Sequence, residues 1–541
     1  MRVAGAVLTY LEKNDVKYIF SIPAGTTSAL SDAIADSKIK AIITKNEAGA
    51  IYSAQKYASI SRKLGVSIVA GGVGINNGIN GIADAQRSKT PLLIISGCVH
   101  RWQMGKGAIQ ELDTEKMIGH ITKYSKTVRG ENEVLTEIKK AIEIAFTPPF
   151  GPVHISIPID VQTSKMAIDL PSKVSFVNNE EQYDLNKLNE AISIINSEEK
   201  GIIMVGKGCR GLSKEVKCLS KHLDWPIITT PEAKGVIPID FKYNLGNYGF
   251  SSTDAAKDYV KNGDATCILI LGSSLGESAT RNFNDILVKN KKVIHVDWDK
   301  SEFNKVFKTD ISIYYDLSFA IPRLIHNTSQ KKKRFFKPKQ INKPYEKNHT
   351  GLSIRLFMEK LVDYVPNGQF ISDIGEYMNF LFKYLPIRDN MDFEISLNYG
   401  AMGTGIGGAM GAYLANPNKQ TVVIVGDGSF AMNGSEILTA KDHKMPILYV
   451  IINNAMLGYV HHGQSFVYGR TVDGALYDRI HISQTIKTLG IKSITIKDIS
   501  EMDKISGFIK DIDGPRVIEL ITDGSELPPI ADRFKSVSNN R

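Results

Sequence analysis

The chain has 541 residues, 43% hydrophobic and 23% charged, with 66 Lys and Arg against 57 Asp and Glu for a net charge of +9. The length suits about three to four domains, and the composition excludes a disordered chain, a collagen-like repeat and a small disulfide-stapled fold. The basic excess suits anionic substrates or cofactors, but no helix-turn-helix, zinc or RNA-binding signature accompanies it, so no nucleic-acid partner is expected.

Residues 1–165 alternate helix and strand, the pattern of a parallel sheet with helices on both faces. Val3 to Glu12 reads as a helix that opens the fold rather than a signal peptide. Strands are expected at 18–20, 39–44, 66–71, 91–96 and 153–157, helices at 48–59 and 79–88, and loops at 21–26 and 72–77. Glu47 sits between an apolar strand and an apolar helix, a setting in which burial is expected. Residues 166–183 lose the pattern and read as a linker.

The alternation resumes over 184–327, with strands at 201–205, 226–230, 266–271 and 292–296 and a glycine-rich turn at 206–211. Residues 328–350, with Lys331, Lys332, Lys333 and Arg334, read as a basic connector. The third unit spans 351–541, and its repeated glycines at 400–411 permit a tight turn and close backbone approach to a ligand. No apolar run is long enough to cross a membrane. Cys98, Cys209, Cys218 and Cys267 form no CxxC pair, so reduced, partly buried thiols in a cytoplasmic protein are expected.

The stretch 422–458 carries the chemistry. A buried strand at Val422 to Val425 runs into Gly426-Asp427-Gly428-Ser429, read as a tight turn. A helix follows at 435–443, then a second strand, Ile447 to Ile452, ending at Asn453-Asn454. Ligands of parallel sheets bind beyond the carboxyl ends of strands. Asp427 and Asn454 supply hard oxygen donors for Mg²⁺, which completes its octahedron with phosphate and water oxygens. Gly426, Gly428 and Ser429 leave backbone N–H groups to face a diphosphate.

GDGSFAMN at 426–433 with PILYVIINNAMLG at 446–458 resembles the signature of thiamine diphosphate (ThDP) enzymes. KNEAGAIYSA at 45–54, GGVGINNGINGIADAQRSKTPLLIISG at 71–97, Ile109-Gln110-Glu111, KKVIHVDWD at 291–299 and YGAMGTGIGGAMGA at 399–412 resemble further segments of that family, nearest its acetolactate synthase large subunits. The resemblance implies three doubly wound α/β domains: pyrimidine-binding (1–165), central Rossmann-like (184–327) and diphosphate-binding (351–541). It implies Glu47 and Gln110 as catalytic residues, with Glu47 on the aminopyrimidine. Gly74, Asn77, Met402, Gly426, Asp427, Gly428, Ser429, Asn454, Leu457 and Gly458 would line the cofactor. Asp427, Asn454 and the Met456 carbonyl would ligate Mg²⁺, while Gly25, Thr26, Tyr459, His461 and His462 would face the substrate.

The implied reaction is decarboxylation of a pyruvate-like 2-oxo acid with transfer of the acyl unit to a second carbonyl. The alternatives are a decarboxylase releasing an aldehyde and a non-catalytic binding or regulatory subunit. A homodimer or homotetramer is implied, because the pyrimidine domain of one subunit faces the diphosphate domain of another. Several residues depart from the family: Asn46, Val73, Glu376-Tyr377 and His461-His462-Gly463-Gln464. The stretch 272–279 departs from the flavin-associated pattern, so no FAD is expected.

Overall fold

A computed structural model describes residues 1–167, 169–175, 183–333 and 341–529. The two expected linkers, Arg334 of the basic run and the end of the third unit fall partly or wholly outside these residues.

Three six-stranded sheets form the frame, every pairing in them parallel. The first contains β1 (Tyr18–Ser21), β2 (Lys40–Ile43), β3 (Gly65–Val69), β4 (Leu92–Cys98), β5 (Tyr124–Thr127) and β6 (Pro152–Pro158), in the order β2-β1-β3-β4-β6-β5. The second contains β7 (Gly201–Val205), β8 (Ile227–Thr229), β9 (Asn244–Asn247), β10 (Cys267–Leu271), β11 (Lys292–Asp297) and β12 (Ile311–Tyr314), in the order β12-β11-β10-β7-β8-β9. The third contains β13 (Gly368–Ser372), β14 (Asp392–Ile395), β15 (Gln420–Gly426), β16 (Leu448–Asn453), β17 (Lys492–Ile496) and β18 (Arg516–Ile521), in the order β14-β13-β15-β16-β18-β17. The first and third sheets share one topology; the second has the order of a dinucleotide-type doubly wound sheet.

The central strands are apolar on both faces because helices cover both. β3, β7 and β10 are buried along their whole length. Helix Glu47–Ser61 is buried from Gly49 to Ala58, as a helix packed on several sides must be. It lies against helices Val73–Arg87, Thr404–Gly407 and Ala409–Ala415, joining the first sheet's unit to the third's.

The glycines at 407, 408 and 411 serve this contact. A Cβ on Gly411 would lie 1.8 Å from the Ser53 carbonyl oxygen, and one on Gly408 would lie 2.4 Å from Lys56 Cγ. The expected ligand approach along 400–411 is therefore corrected for these positions: their missing side chains admit a helix.

Charge ties all three units together below that contact. Buried Lys56 donates to Ser396 Oγ at 2.6 Å and lies 3.8 Å from Glu394, which also pairs with Arg210. Burial pulls the Lys56 pKa down to about 8. Removing one member would leave buried charge uncompensated.

The cysteines are all free. Cys209 and Cys267 are buried, Cys98 is half-buried and Cys218 is exposed.

Candidate active site

The turn expected at Gly426–Ser429 is a strand end and a helix start. β15 runs to Gly426, and helix Asp427–Asn433 begins at once. The Asp427 carboxylate is 3% exposed; it accepts from the Ala455 N–H at 2.7 Å and from the Gly428 N–H at 2.9 Å. The Gly428 N–H, expected to be free, is thus engaged. Burial pushes the Asp427 carboxyl up to about 6, against the opposing pull of these donors. Ser429 Oγ donates to the Ile374 carbonyl at 3.0 Å, joining this turn to the loop after β13.

The two asparagines at the end of β16 divide their work. Asn453 is buried, and its Nδ2 donates to the Ile480 carbonyl and to Glu519 Oε1, both at 2.7 Å. Asn454 is half-buried, and among the described residues its Oδ1 accepts only from the Met456 N–H, at 3.2 Å. Ala455 adopts φ 57°, which turns its N–H toward Asp427. Leu457 and Met402 close over the turn: a Cβ on Gly428 would lie 3.0 Å from Leu457 Cδ2 and 3.4 Å from Met402 Cε.

Asp373, which sequence reading left without a role, fixes Met402. Its fully buried carboxylate accepts from the N–H groups of Gly403 and Gly405 at 2.8 Å and of Ile406 at 3.1 Å. Gly403 turns the chain there at φ 87°.

The other half of the site lies on the first sheet. Glu47 is the first residue of its helix, and Asn46 caps that helix by accepting from the Ala48 N–H at 2.8 Å. Glu47 Oε2 accepts from Asn77 Nδ2 at 2.9 Å. Gly74 lets the helix pass close by: its Cβ would lie 3.3 Å from Glu47 Oε1. Glu47 is half-buried rather than buried.

The loop expected at 72–77 is corrected. Gly72, at φ 61°, turns the chain, and helix Val73–Arg87 starts directly after it. Gln110, itself at φ 67°, presses its carbonyl on Gly72, where a Cβ would lie 2.5 Å away.

Of the residues expected near substrate, Gly25 is exposed, while Thr26 is committed to the fold. Thr26 Oγ1 accepts from the Gly71 N–H at 3.1 Å, and its carbonyl accepts from Gln162 at 2.8 Å. Tyr459 bonds through its hydroxyl to Asn379. His461 has a buried Nδ1 without a hydrogen-bond partner. His462 pairs with Glu376 at 2.7 Å, which raises its pKa, and Gly458 makes room for that carboxyl.

Among the described residues no hydrogen bond joins Glu47, Asn77 or Gln110 to Asp427, Asn454 or Met402. Glu436 gives an indirect link. Its buried carboxylate accepts from the Asn46 N–H at 2.9 Å and the Lys45 N–H at 3.1 Å, just before Glu47. No sequence signal marks this contact across 390 residues.

Comparison with known families agrees with this geometry. Residues 1–117 match the N-terminal TPP binding domain of thiamine pyrophosphate enzymes, 188–324 their central domain and 373–520 their C-terminal TPP binding domain. The acetolactate synthase large subunit of Lactococcus lactis is 30% identical over 97% of this chain and 93% of its own. The chain belongs to the thiamine pyrophosphate enzyme family. Isozyme 1 large subunit of Escherichia coli acetolactate synthase is 28% identical over 99% of this chain and 98% of its own. The acetolactate synthase of Mycobacterium bovis is 27% identical over 98% and 89%.

The three sheets are those of the family's three domains, and Asp427, Asn454 and Met402 lie on its C-terminal one. No helix among the described residues is long and apolar enough to cross a membrane.

Proposed function

We propose that this chain binds ThDP and Mg²⁺ and acts as an acetolactate synthase-like carboligase. It would decarboxylate a pyruvate-like 2-oxo acid and join the remaining acyl unit to a second carbonyl compound. The observation that carries this reading is the pair Asp427 and Asn454 at adjacent strand ends, under the apolar cover of Met402 and Leu457. A buried carboxyl pushed up to about 6 is a group that a cation would relieve. One carboxylate, one carboxamide and the Met456 carbonyl suit Mg²⁺, which relies on diphosphate and water for its other ligands.

Bound ThDP supplies the electron sink for breaking the carbon–carbon bond. Glu47 would hold or release a proton toward the aminopyrimidine ring, and Asn77, donating to its carboxylate, holds it in place. Gly74 admits the ring close to the backbone, and Gln110 stands over the Gly72 turn. The Gly426 and Ser429 backbone would face the diphosphate, while the Gly428 N–H stays with Asp427.

The units 1–165, 184–327 and 351–541 act as three domains of one subunit. A homodimer, or a tetramer of two dimers, completes the site. Two features favour it: no hydrogen bond among the described residues joins the Glu47 half to the Asp427 half, and apolar residues lie exposed beside each half-site. Val73, Trp102 and Ile109 flank the Glu47 half at 51%, 66% and 91% exposure, and Met432 flanks the Asp427 half at 57%. The protein acts in the cytoplasm and needs no flavin.

Fluorescence titration with ThDP, with and without Mg²⁺, tests the cofactor. CO₂ release and mass spectrometry of products from a panel of 2-oxo acids test the reaction. An aldehyde as sole product would make the protein a simple decarboxylase. ThDP binding with no CO₂ from any member of the panel would make it a binding subunit.

A further inference from the structure

A cavity of about 850 Å³ opens beside the Asp427 half-site. Ile374, Tyr399 and Gly400 line it. These belong to the two loops that receive Ser429 Oγ and carry Met402. One wall is helix Gly458–Tyr468, where Gly463 faces the cavity without a side chain.

Arg87, from the end of helix Val73–Arg87, also lines it. Its exposed guanidinium makes no hydrogen bond or ion pair among the described residues. The neighbouring Lys305 is already paired with Glu302. Glu277, Asn398 and Gln464 add carboxylate and amide groups to the lining. Gln464 Oε1 accepts from the Val472 N–H at 3.0 Å, and among the described residues its amide N–H groups make no hydrogen bond.

Resting on the carboligase reading, we infer that this cavity takes the second substrate, and that this is a polyhydroxylated carbonyl compound that also carries an anionic group. Cavities of roughly 300–1,000 Å³ enclose ligands far larger than a three-carbon acid. Carboxylate and amide groups match hydroxyls, and a free guanidinium matches a phosphate or carboxylate.

The reaction balances without a redox partner. The bond between C1 and C2 of the donor breaks, CO₂ leaves, and the electron pair stays on C2. That carbon bonds to the acceptor's carbonyl carbon. The acceptor's oxygen takes one proton, giving an α-hydroxy ketone.

The test uses full-length protein with ThDP and Mg²⁺, pyruvate as donor, and ribose 5-phosphate, glucuronate and ribose as acceptors. Acceptor binding is read by calorimetry and products by mass spectrometry. At least one of the two anionic acceptors is expected to bind at least tenfold tighter than ribose, and which one does so tells phosphate from carboxylate recognition. Arg87→Gln, at an exposed helix end, is expected to remove that preference. Gly463→Phe is expected to lower the use of ribose 5-phosphate relative to acetaldehyde at least tenfold.

Equal binding of all three acceptors, or an undiminished preference in Arg87→Gln, overturns the inference. If no 2-oxo acid yields CO₂, the carboligase reading fails, and the calorimetry alone decides whether the cavity holds such an anion.

Discussion

Replacing Glu436 with alanine tests the contact on which the placement of Glu47 depends. Its carboxylate is fully buried and accepts from the Lys45 and Asn46 amides and from Thr439 Oγ1. Each backbone donor left without its acceptor costs about 1–3 kcal/mol. Two such donors give about 4 kcal/mol. Relief of the buried carboxyl, whose pKa burial raises, offsets part of that and leaves about 3 kcal/mol. The amides of residues 40–50 should then exchange with deuterium about a hundredfold faster, since about 1.4 kcal/mol is a factor of ten.

Gly49 supplies a second reading of the same contact. A Cβ there would lie 2.3 Å from Glu436 Oε1, so Gly49→Ala should cost about 1–3 kcal/mol by overpacking. In Glu436→Ala the space is vacant, and the same substitution should cost less, giving clear non-additivity. Exchange in Glu436→Ala within threefold of wild type, together with additive substitutions, would refute the role given to this carboxylate.

Three other outcomes are expected. Glu47→Gln is nearly isosteric, so ThDP should still bind, while hydrogen–deuterium exchange at the cofactor's thiazolium C2 should slow by about 10²–10⁴; an unchanged rate would make Glu47 a helix-start acid only. Asp427→Ala or Asn454→Ala should abolish Mg²⁺-dependent ThDP affinity in a fluorescence titration, and unchanged affinity in either variant would remove it from the metal site. Burial holds His154 neutral between Ser96 and Ser125, with its pKa pulled down to about 3. An unfolded chain gains that proton near pH 6.5, so stability is full above that pH and falls toward pH 3 by up to about 1.4 kcal/mol per unit. His154→Gln should flatten the difference between urea midpoints at pH 7 and pH 5.

Much of the frame is legible in the sequence because strands covered on both faces need unbroken apolar runs. Val422 to Val425 and Ile447 to Ile452 mark β15 and β16 in this way. Edge strands β5 and β9, with sequences YSKT and NLGN, carry no such run, since an edge has a pairing partner on one side only. The Asp427 turn is legible because its donors are close in sequence. Asp373, Glu436 and the glycines at 407, 408 and 411 are not, because each answers to a partner brought near only by folding. A glycine that admits a helix and one that admits a ligand look alike until the neighbour is in place.

The two sheets of matching topology also divide the charge of the site. After β3 the chain runs through Gly71, Gly72 and Gly74, with the Glu47 carboxylate close beside Gly74. After β15, the corresponding strand of the third sheet, it runs through Gly426, Asp427, Gly428 and Ser429. The first turn offers bare backbone and one shared carboxyl, which suits an uncharged heteroaromatic ring able to trade a proton. The second offers a buried acid that a cation would stabilise, which suits a metal-bound diphosphate. ThDP has these two ends, and on the proposed function the same strand position, filled once with glycine alone and once with Asp427, would sort them. Moving the acid to the first turn should therefore be worse than merely losing it. A Gly74→Asp substitution places a second carboxylate against Glu47, and ThDP affinity should fall well beyond that of Gly74→Ala in the same titration. Equal losses in the two variants would mean that space, not charge, distinguishes the two turns.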